Sequence, residues 1–344
     1  MSTERAIVGH DKQRSQLQSD LSLGKLAHAY LFSGKKHLGK FTVAKWFAGE
    51  ILTEGKDPVM KSQAQKLMKR NLHPDLLILD QLWIADVCTD WNIIARSSNV
   101  SQEERAKKKV RTNTIGIDDV RELQRRLHET AEKGKLCCLI RSIERLQDEA
   151  ANALLKILEE PPPHVLFCCT TESSSSLPST ILSRMRVLEF FPLPQKELLP
   201  FLTSFSEEDR TLLLMIAQGA PGVIFRCMED PDALRNIRQL HIDAHRFLEG
   251  NSRVSRFQQL NAVLDEEQER VFLSHLFLHI EEDFRSSDSS TVKRALCLSR
   301  ELFSFLRRLQ SNPSHPLLAA HLALHSSAHS HGMRNIGHSL SSID

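Results

Sequence analysis

No two cysteines of this 344-residue chain stand at Cys-x-x-Cys spacing, although seven are present. A zinc ribbon needs that spacing, so none is expected, and no disulfide framework is supported. Four of the seven, Cys137, Cys138, Cys168 and Cys169, lie inside apolar runs, where a thiol acts as a small buried hydrophobe. Also missing is any apolar run approaching the ~18 residues of a membrane span. Met1-Ser2-Thr3-Glu4-Arg5 leads straight into polar sequence, without the apolar core of a signal peptide, and a cytoplasmic location with no membrane partner is predicted. An excess of one charge is lacking too. Lys and Arg number 45 against 43 Asp and Glu, a net charge of +2, so attraction to nucleic acid must come from a local patch. What remains, 26% charged and 41% hydrophobic residues, is an ordinary globular composition with room for two or three domains.

The most informative stretch runs from Leu136 to Arg184. Leu136-Cys137-Cys138-Leu139-Ile140 and Val165 to Cys169 are short continuous apolar runs, the pattern of strands buried on both faces. Between them Ala150, Ala153, Leu154, Ile157 and Leu158 recur at helical spacing, an apolar stripe for packing on a sheet. Pro161-Pro162-Pro163 stops that helix. A parallel strand–helix–strand unit is predicted.

Upstream, Ile7 to Leu26 has a helical pattern with Leu17, Leu21, Leu23 and Leu26 on its apolar side. Ala29-Tyr30-Leu31-Phe32 reads as a strand, and Gly34-Lys35-Lys36-His37-Leu38-Gly39-Lys40 fits Gly-x-x-x-x-Gly-Lys. A helix follows from Thr42 to Leu52, with Val43, Ala44, Phe47 and Ala48 apolar. Strand, glycine loop and helix are the context of a phosphate-binding loop, where backbone N–H groups and a helix N-terminus face the anion. The chemistry departs from the context. Phe41 stands where Ser or Thr would hold magnesium, Thr42 is one residue late, and His37 sits where many such loops have glycine. The residues therefore admit two readings: a nucleotide site built on Gly34, Gly39 and Lys40, or a plain strand-to-helix turn with surface lysines.

Glu54 to Lys69 is polar, helical or irregular, and leads through His73-Pro74-Asp75 to the strand candidate Leu76-Leu77-Ile78-Leu79. Residues 80–113 lose periodicity and contain Trp83, Trp91 and the basic cluster Arg105 to Arg111; an insertion or long exposed loop is predicted. Asp118 and Asp119 suit the start of a helix with Val120, Leu123 and Leu127 on one face.

Taken in order, His28-Ala29-Tyr30-Leu31-Phe32, the glycine loop, His73-Pro74-Asp75, Asn152 to Lys156 with Leu158 to Pro162, and Ile181-Leu182-Ser183-Arg184 resemble the AAA+ subunits of bacterial DNA polymerase III clamp loaders. The resemblance covers about residues 1–225 and lies nearest the delta-prime branch. It implies an α/β AAA+ domain with a parallel P-loop-type sheet over 1–193 (insertion about 80–113), a helical lid over 194–243 and an all-α oligomerisation collar over 244–344. It also implies partners: gamma/tau-type ATPase subunits, the delta subunit, a sliding clamp, and primer–template DNA held through the assembly.

Against that family, Arg141 and Ser142 replace the Asp-Glu pair that holds magnesium and polarises the attacking water. Glu144, Asp148 and Glu149 lie nearby but at or inside the next helix. In the turn Gly219-Ala220-Pro221-Gly222-Val223, Val223 occupies the place of the second-sensor arginine. Residues 54–72 hold no cysteine where family members carry a four-cysteine zinc module, so no zinc is predicted. Thr170 or Thr171 matches the first sensor and, without the acids, reads as a strand end. Arg184 is retained, after Ser183 and before Met185 in place of cysteine. The resemblance makes it an arginine finger acting in trans on a neighbour's ATP; read from the residues alone, it is a surface arginine at a helix C-terminus. The expected function is a non-hydrolysing stator that requires no cofactor and at most retains unhydrolysed ATP or ADP. The alternatives are an active motor-type ATPase with atypical motifs and a nucleic-acid-binding protein using Arg105 to Arg111.

Phe190-Phe191-Pro192-Leu193-Pro194 marks a domain boundary. Beyond it the pattern is helical, with Phe247, Leu248, Phe257, Leu260, Val263, Leu264, Val271, Leu273, Leu276, Phe277 and Ile280 as packed positions and a serine-rich break at Ser286 to Ser290. Val292 to Leu309 and Leu317 onward form a last helix pair, and His321, His325 and His329 recur at i+4. No acid or cysteine accompanies those histidines, so a polar terminal helix is expected rather than a metal site.

Overall fold

The computed structural model describes residues 7–69, 71, 73–79, 114–129, 134–249, 266–285 and 288–309. The insertion at 80–113, Phe257 to Leu264 and the segment from Leu317 with its three histidines lie outside the described residues. The chain divides into two compact units, residues 1–225 and 226–344.

The first unit is built on a parallel five-stranded sheet in the order β2-β3-β4-β1-β5. Its strands are β1 (Ala29–Ser33), β2 (Leu76–Leu79), β3 (Leu136–Ile140), β4 (Val165–Thr171) and β5 (Arg186–Glu189). Every residue of β1 to β4 is buried, whereas the edge strand β5 buries only Leu188. Side chains alternate across the sheet. Leu31, Cys138, Ile140, Phe167 and Cys169 therefore pack on one face against helices α4 (Ile117–Glu129) and α5 (Asp148–Glu159). Tyr30, Phe32, Cys137, Leu139 and Cys168 pack on the other against α2 (Lys40–Thr53), with Leu17 of α1 (Asp11–Ser22) in the same cluster. The paired cysteines thus belong to opposite cores, and burial pushes the Cys137 and Cys169 thiols up to about 12, which makes them inert.

The predicted α/β architecture and its strand–helix–strand centre are present. The stripe on α5 buries Ala150, Leu154, Ile157 and Leu158, with Asp148 and Glu149 in the first turn, where the helix dipole favours acids. The polar segment after α2 is helical over α3 (Pro58–Lys69). Both ends of the first helix are corrected, since it begins only at Asp11, after left-handed backbone at Gly9 and His10. α1 ends at Ser22 because Gly24 takes φ +64° just past it, a left-handed conformation that terminates a helix. Leu23, expected on the apolar side, is consequently 63% exposed.

The short helix α6 (Ser179–Leu182) precedes β5, and after that strand come a short helical segment over 195–202, α7 (Glu207–Ala217) and α8 (Pro221–Glu229). Ser206 caps α7 by accepting from the Asp209 N–H. Among the described residues the second unit is helical: α9 (Pro231–Glu249), α10 (Glu266–Phe284) and α11 (Ser289–Leu309) pack around Phe247, Phe272, Leu276, Ile280 and Leu302. Ser289 and Ser290 of the expected serine-rich break belong instead to α11, and the Asp288 carboxylate accepts from the Ser290 and Thr291 N–H groups to start that helix. No helix among the described residues is long and apolar enough to cross a membrane.

Candidate functional site

Three segments meet at the carboxyl ends of the strands: the glycine loop after β1, the Arg141–Ser142 corner after β3 and the end of β4. The loop turns through left-handed backbone at His37 (φ +61°) and Gly39 (φ +89°). A histidine in that conformation is held against about 1–2 kcal/mol of steric cost, and the tertiary contacts that hold it are visible. The His10 ring bonds the Leu38 carbonyl at 2.8 Å, and Leu38 itself is buried. On the far side, the Gly222 N–H at the start of α8 donates to the His37 carbonyl at 2.9 Å. Gly219, at φ +83°, makes the approach of α8 possible, because a Cβ there would lie 2.6 Å from the Pro192 Cβ.

Lys40 is the first residue of α2 and is buried. Its ammonium donates to the carbonyls of Gly34 and Lys35, so it is folded back onto the loop. Burial lowers its pKa to about 8, with Glu172 and Glu144 opposing the shift and Arg141 adding to it. Phe41 follows, and the Arg141 guanidinium lies over its ring at 5.5 Å from the centroid, an attractive cation–π contact.

The donor set for a divalent cation does not fit. Where a hydroxyl oxygen is needed stands a phenyl ring, and where two carboxylates are needed stand a guanidinium and a neutral hydroxyl. Ser142 has φ +57°, and its N–H donates to the Thr170 Oγ1 at 3.0 Å. Thr170 is thus tied to the Arg141–Ser142 corner, while the Thr171 hydroxyl donates to the Ser173 carbonyl at 3.1 Å. Val223 is partly buried against the core cluster that contains Leu38 and Phe190, so this position carries apolar packing.

Glu144, one of the nearby acids noted in the sequence, lies in a helical turn after Ser142, and its burial is what the sequence does not reveal. Both of its carboxylate oxygens are buried without a hydrogen-bond partner, close enough to Lys40 for its charge to act on the ammonium. Asp148 and Glu149 are exposed on the first turn of α5.

Arg184 follows α6 and does not extend freely into solvent. Its Nη1 donates to the Thr180 carbonyl at 2.8 Å and to the Ser183 hydroxyl at 3.2 Å. Its Nη2 donates to Glu159 at 2.7 Å. It caps the short helix and at the same time reaches the end of α5. Met185 is buried in the core beside it, as an apolar replacement for cysteine should be.

The Gly222 contact gives a direct prediction. A Cβ at this position would meet the His37 carbonyl oxygen at 2.8 Å and the His37 Cα at 3.1 Å. Gly222→Ala should therefore lose about 1–3 kcal/mol of stability through overpacking, read as a lower urea midpoint at unchanged slope.

Comparison with known proteins bears on this arrangement. A family model described as DNA polymerase III, delta subunit, matches residues 9–194. The DNA polymerase III subunit delta' of Bacillus subtilis (strain 168) is 29% identical over 182 residues, covering 52% of this chain and 47% of that protein. Its namesake from Escherichia coli (strain K12) is 35% identical over 114 residues, covering 32% and 34%. The chain spans half or less of the length of these curated relatives. Among solved structures, a DNA polymerase III gamma subunit-related protein from Thermotoga maritima superposes with a TM-score of 0.48 at 18% identity, covering 91% of this chain and 98% of that one. The family match extends from the residue before His10 past Arg184 and over more than half of the sequence, taking in both the glycine loop and the helix end that holds Arg184, and on that ground the chain belongs to the DNA polymerase III delta subunit family.

Proposed function

We propose that the chain is a non-hydrolysing, delta-prime-type stator of a clamp loader, which donates Arg184 to the ATP of a neighbouring subunit while the assembly loads a sliding clamp on primed DNA. The observation that carries this reading is the Arg141 guanidinium stacked over Phe41, an internal cation and an apolar ring at the positions a magnesium-holding acid and hydroxyl would need. Its partners are gamma/tau-type ATPase subunits, delta and the clamp, with primer–template DNA reached through the complex. A nucleotide at Gly34, Gly39 and Lys40 stays unhydrolysed.

The place of Arg184 supports action in trans. It is held at the C-terminal end of α5, a 12-residue helix about 18 Å long. The glycine loop is near Glu144, which precedes the other end of that helix. Arg184 is therefore held at the end of α5 opposite the one beside its own loop.

Purified alone, the protein should show no magnesium-dependent ATP turnover above background, and Lys40→Ala should change nothing. Turnover that Lys40→Ala abolishes would sink the stator reading. One observation favours the motor-type alternative, namely the buried Glu144 carboxylate beside Lys40, which could serve as a displaced catalytic acid. Under that alternative Glu144→Gln removes turnover; under the stator reading there is none to remove.

A further inference from the structure

The guanidinium of Arg184 is fixed by groups from two elements, the Thr180 carbonyl in α6 and the Glu159 carboxylate at the last residue of α5. Both elements are anchored in one core, through Ile181 on α6 and Leu154 and Leu158 on α5, all at most 1% exposed. Of the five N–H groups of an arginine, three are engaged: two by Thr180 and Ser183, and one by Glu159. The two that remain are what a phosphate oxygen on a neighbour would meet.

We infer that Glu159 is a positioning residue for the finger, holding the Arg184 guanidinium in the plane and direction needed to meet a γ-phosphate across a subunit boundary. This rests on the finger reading above. Stability alone gives a poor reason for the pair. Its side chains are 32% and 50% exposed, and ion pairs in that setting contribute little to folding. Orientation is a different matter. An arginine has a long, flexible stem with much rotamer freedom to lose on binding. A carboxylate that accepts from Nη2 removes that freedom beforehand, and small misplacements of a catalytic group are expensive in rate. The partial negative charge at the C-terminal end of α5 also draws the guanidinium to this place.

The test is a double-mutant cycle in the clamp-loader complex reconstituted with its ATP-hydrolysing subunits, clamp and primed DNA, with magnesium ATP as the substrate and turnover resolved for the site beside this chain. Glu159→Ala should lower kcat there roughly 10- to 100-fold with little change in KM. Glu159→Gln, which keeps a carbonyl oxygen to accept from Nη2, should recover most of the rate. The variant Arg184→Ala/Glu159→Ala should be no slower than Arg184→Ala alone, because a positioning residue has nothing left to position. Co-purification of each variant with the complex checks that assembly is intact.

An unchanged rate in Glu159→Ala overturns the proposal. So does a double variant slower than Arg184→Ala by the same factor that Glu159→Ala shows alone, since Glu159 would then act elsewhere. In either case the finger reading stands. If Arg184→Ala itself leaves the rate unchanged, the finger reading fails and the role of Glu159 fails with it.

Discussion

Arg184→Ala should leave the assembly intact while slowing ATP hydrolysis at the neighbouring site by about 10³-fold, the lower end of what arginine fingers supply. On the proposed reading the effect is large because a donated guanidinium stabilises charge that develops on the γ-phosphate only in the transition state. It should therefore appear in kcat and not in nucleotide affinity. Total turnover of the complex will fall less, since other ATP sites dilute the loss; single-site resolution by mutating the remaining motor lysines is the decisive measurement. Arg184→Lys should not rescue it. Lysine keeps the charge but not the fork of N–H groups that simultaneously binds Thr180, Ser183 and Glu159. A rate unaltered by Arg184→Ala, with the site resolved, would reject the donated-finger role.

The second large expected effect concerns acid and lies in the helical unit. His275 on α10 is 1% exposed, and neither of its ring nitrogens has a hydrogen-bond partner. His241 of α9 stacks on His279 at 4.2 Å between centroids and lies 5.7 Å from His275; His245 meets the His279 ring at 5.3 Å. Burial first, then the neighbouring histidines His241 and His279, lower the pKa of His275 from 6.5 to about 4. The group is folded in as the neutral ring. Above the unfolded value near 6.5 it is neutral in both states and costs nothing in charge. As the pH falls from there toward 4 the unfolded chain takes up the proton first, and stability is lost through that window. The loss amounts to about 2 kcal/mol near pH 5 and about 3 kcal/mol below pH 4. Urea titrations of the wild type and His275→Leu should coincide or favour the variant near pH 7.5. On acidification the gap should widen in the variant's favour by those amounts. Parallel curves at both pH values would remove His275 as the source.

Much of the first unit was legible from local pattern. Continuous apolar runs identified β1 to β4, and helical spacing picked out the buried stripe of α5. Phe41, Arg141 and Ser142 stand out in the sequence because each belongs to a contiguous segment, and the fold brings Phe41 and Arg141 into contact. What escaped depends on distance in sequence. Glu159 and Arg184 are 25 residues apart and meet only because α5 and α6 share one core. Glu144 looked like an ordinary acid at a helix start, and only the fold shows its carboxylate buried beside Lys40. Histidine spacing drew attention to His321, His325 and His329, whereas the described histidine cluster joins His241 and His245 on α9 to His275 and His279 on α10. Two half-patterns on separate helices leave no single stretch to notice. The early end of α1 follows from Gly24, whose breaking effect periodicity alone does not weigh.

The bond from the Gly222 N–H to the His37 carbonyl joins main chain to main chain, and neither group titrates or carries a net charge. The Arg184–Glu159 contact joins two charges near water, where ions compete and screen within about 10 Å at 0.1 M salt. The two ends of this domain should therefore answer to different variables. Under the proposed reading, ionic strength acts on the Arg184–Glu159 end and leaves the main-chain bond between the loop and α8 untouched, so salt alone would weaken or restore the communication between subunits.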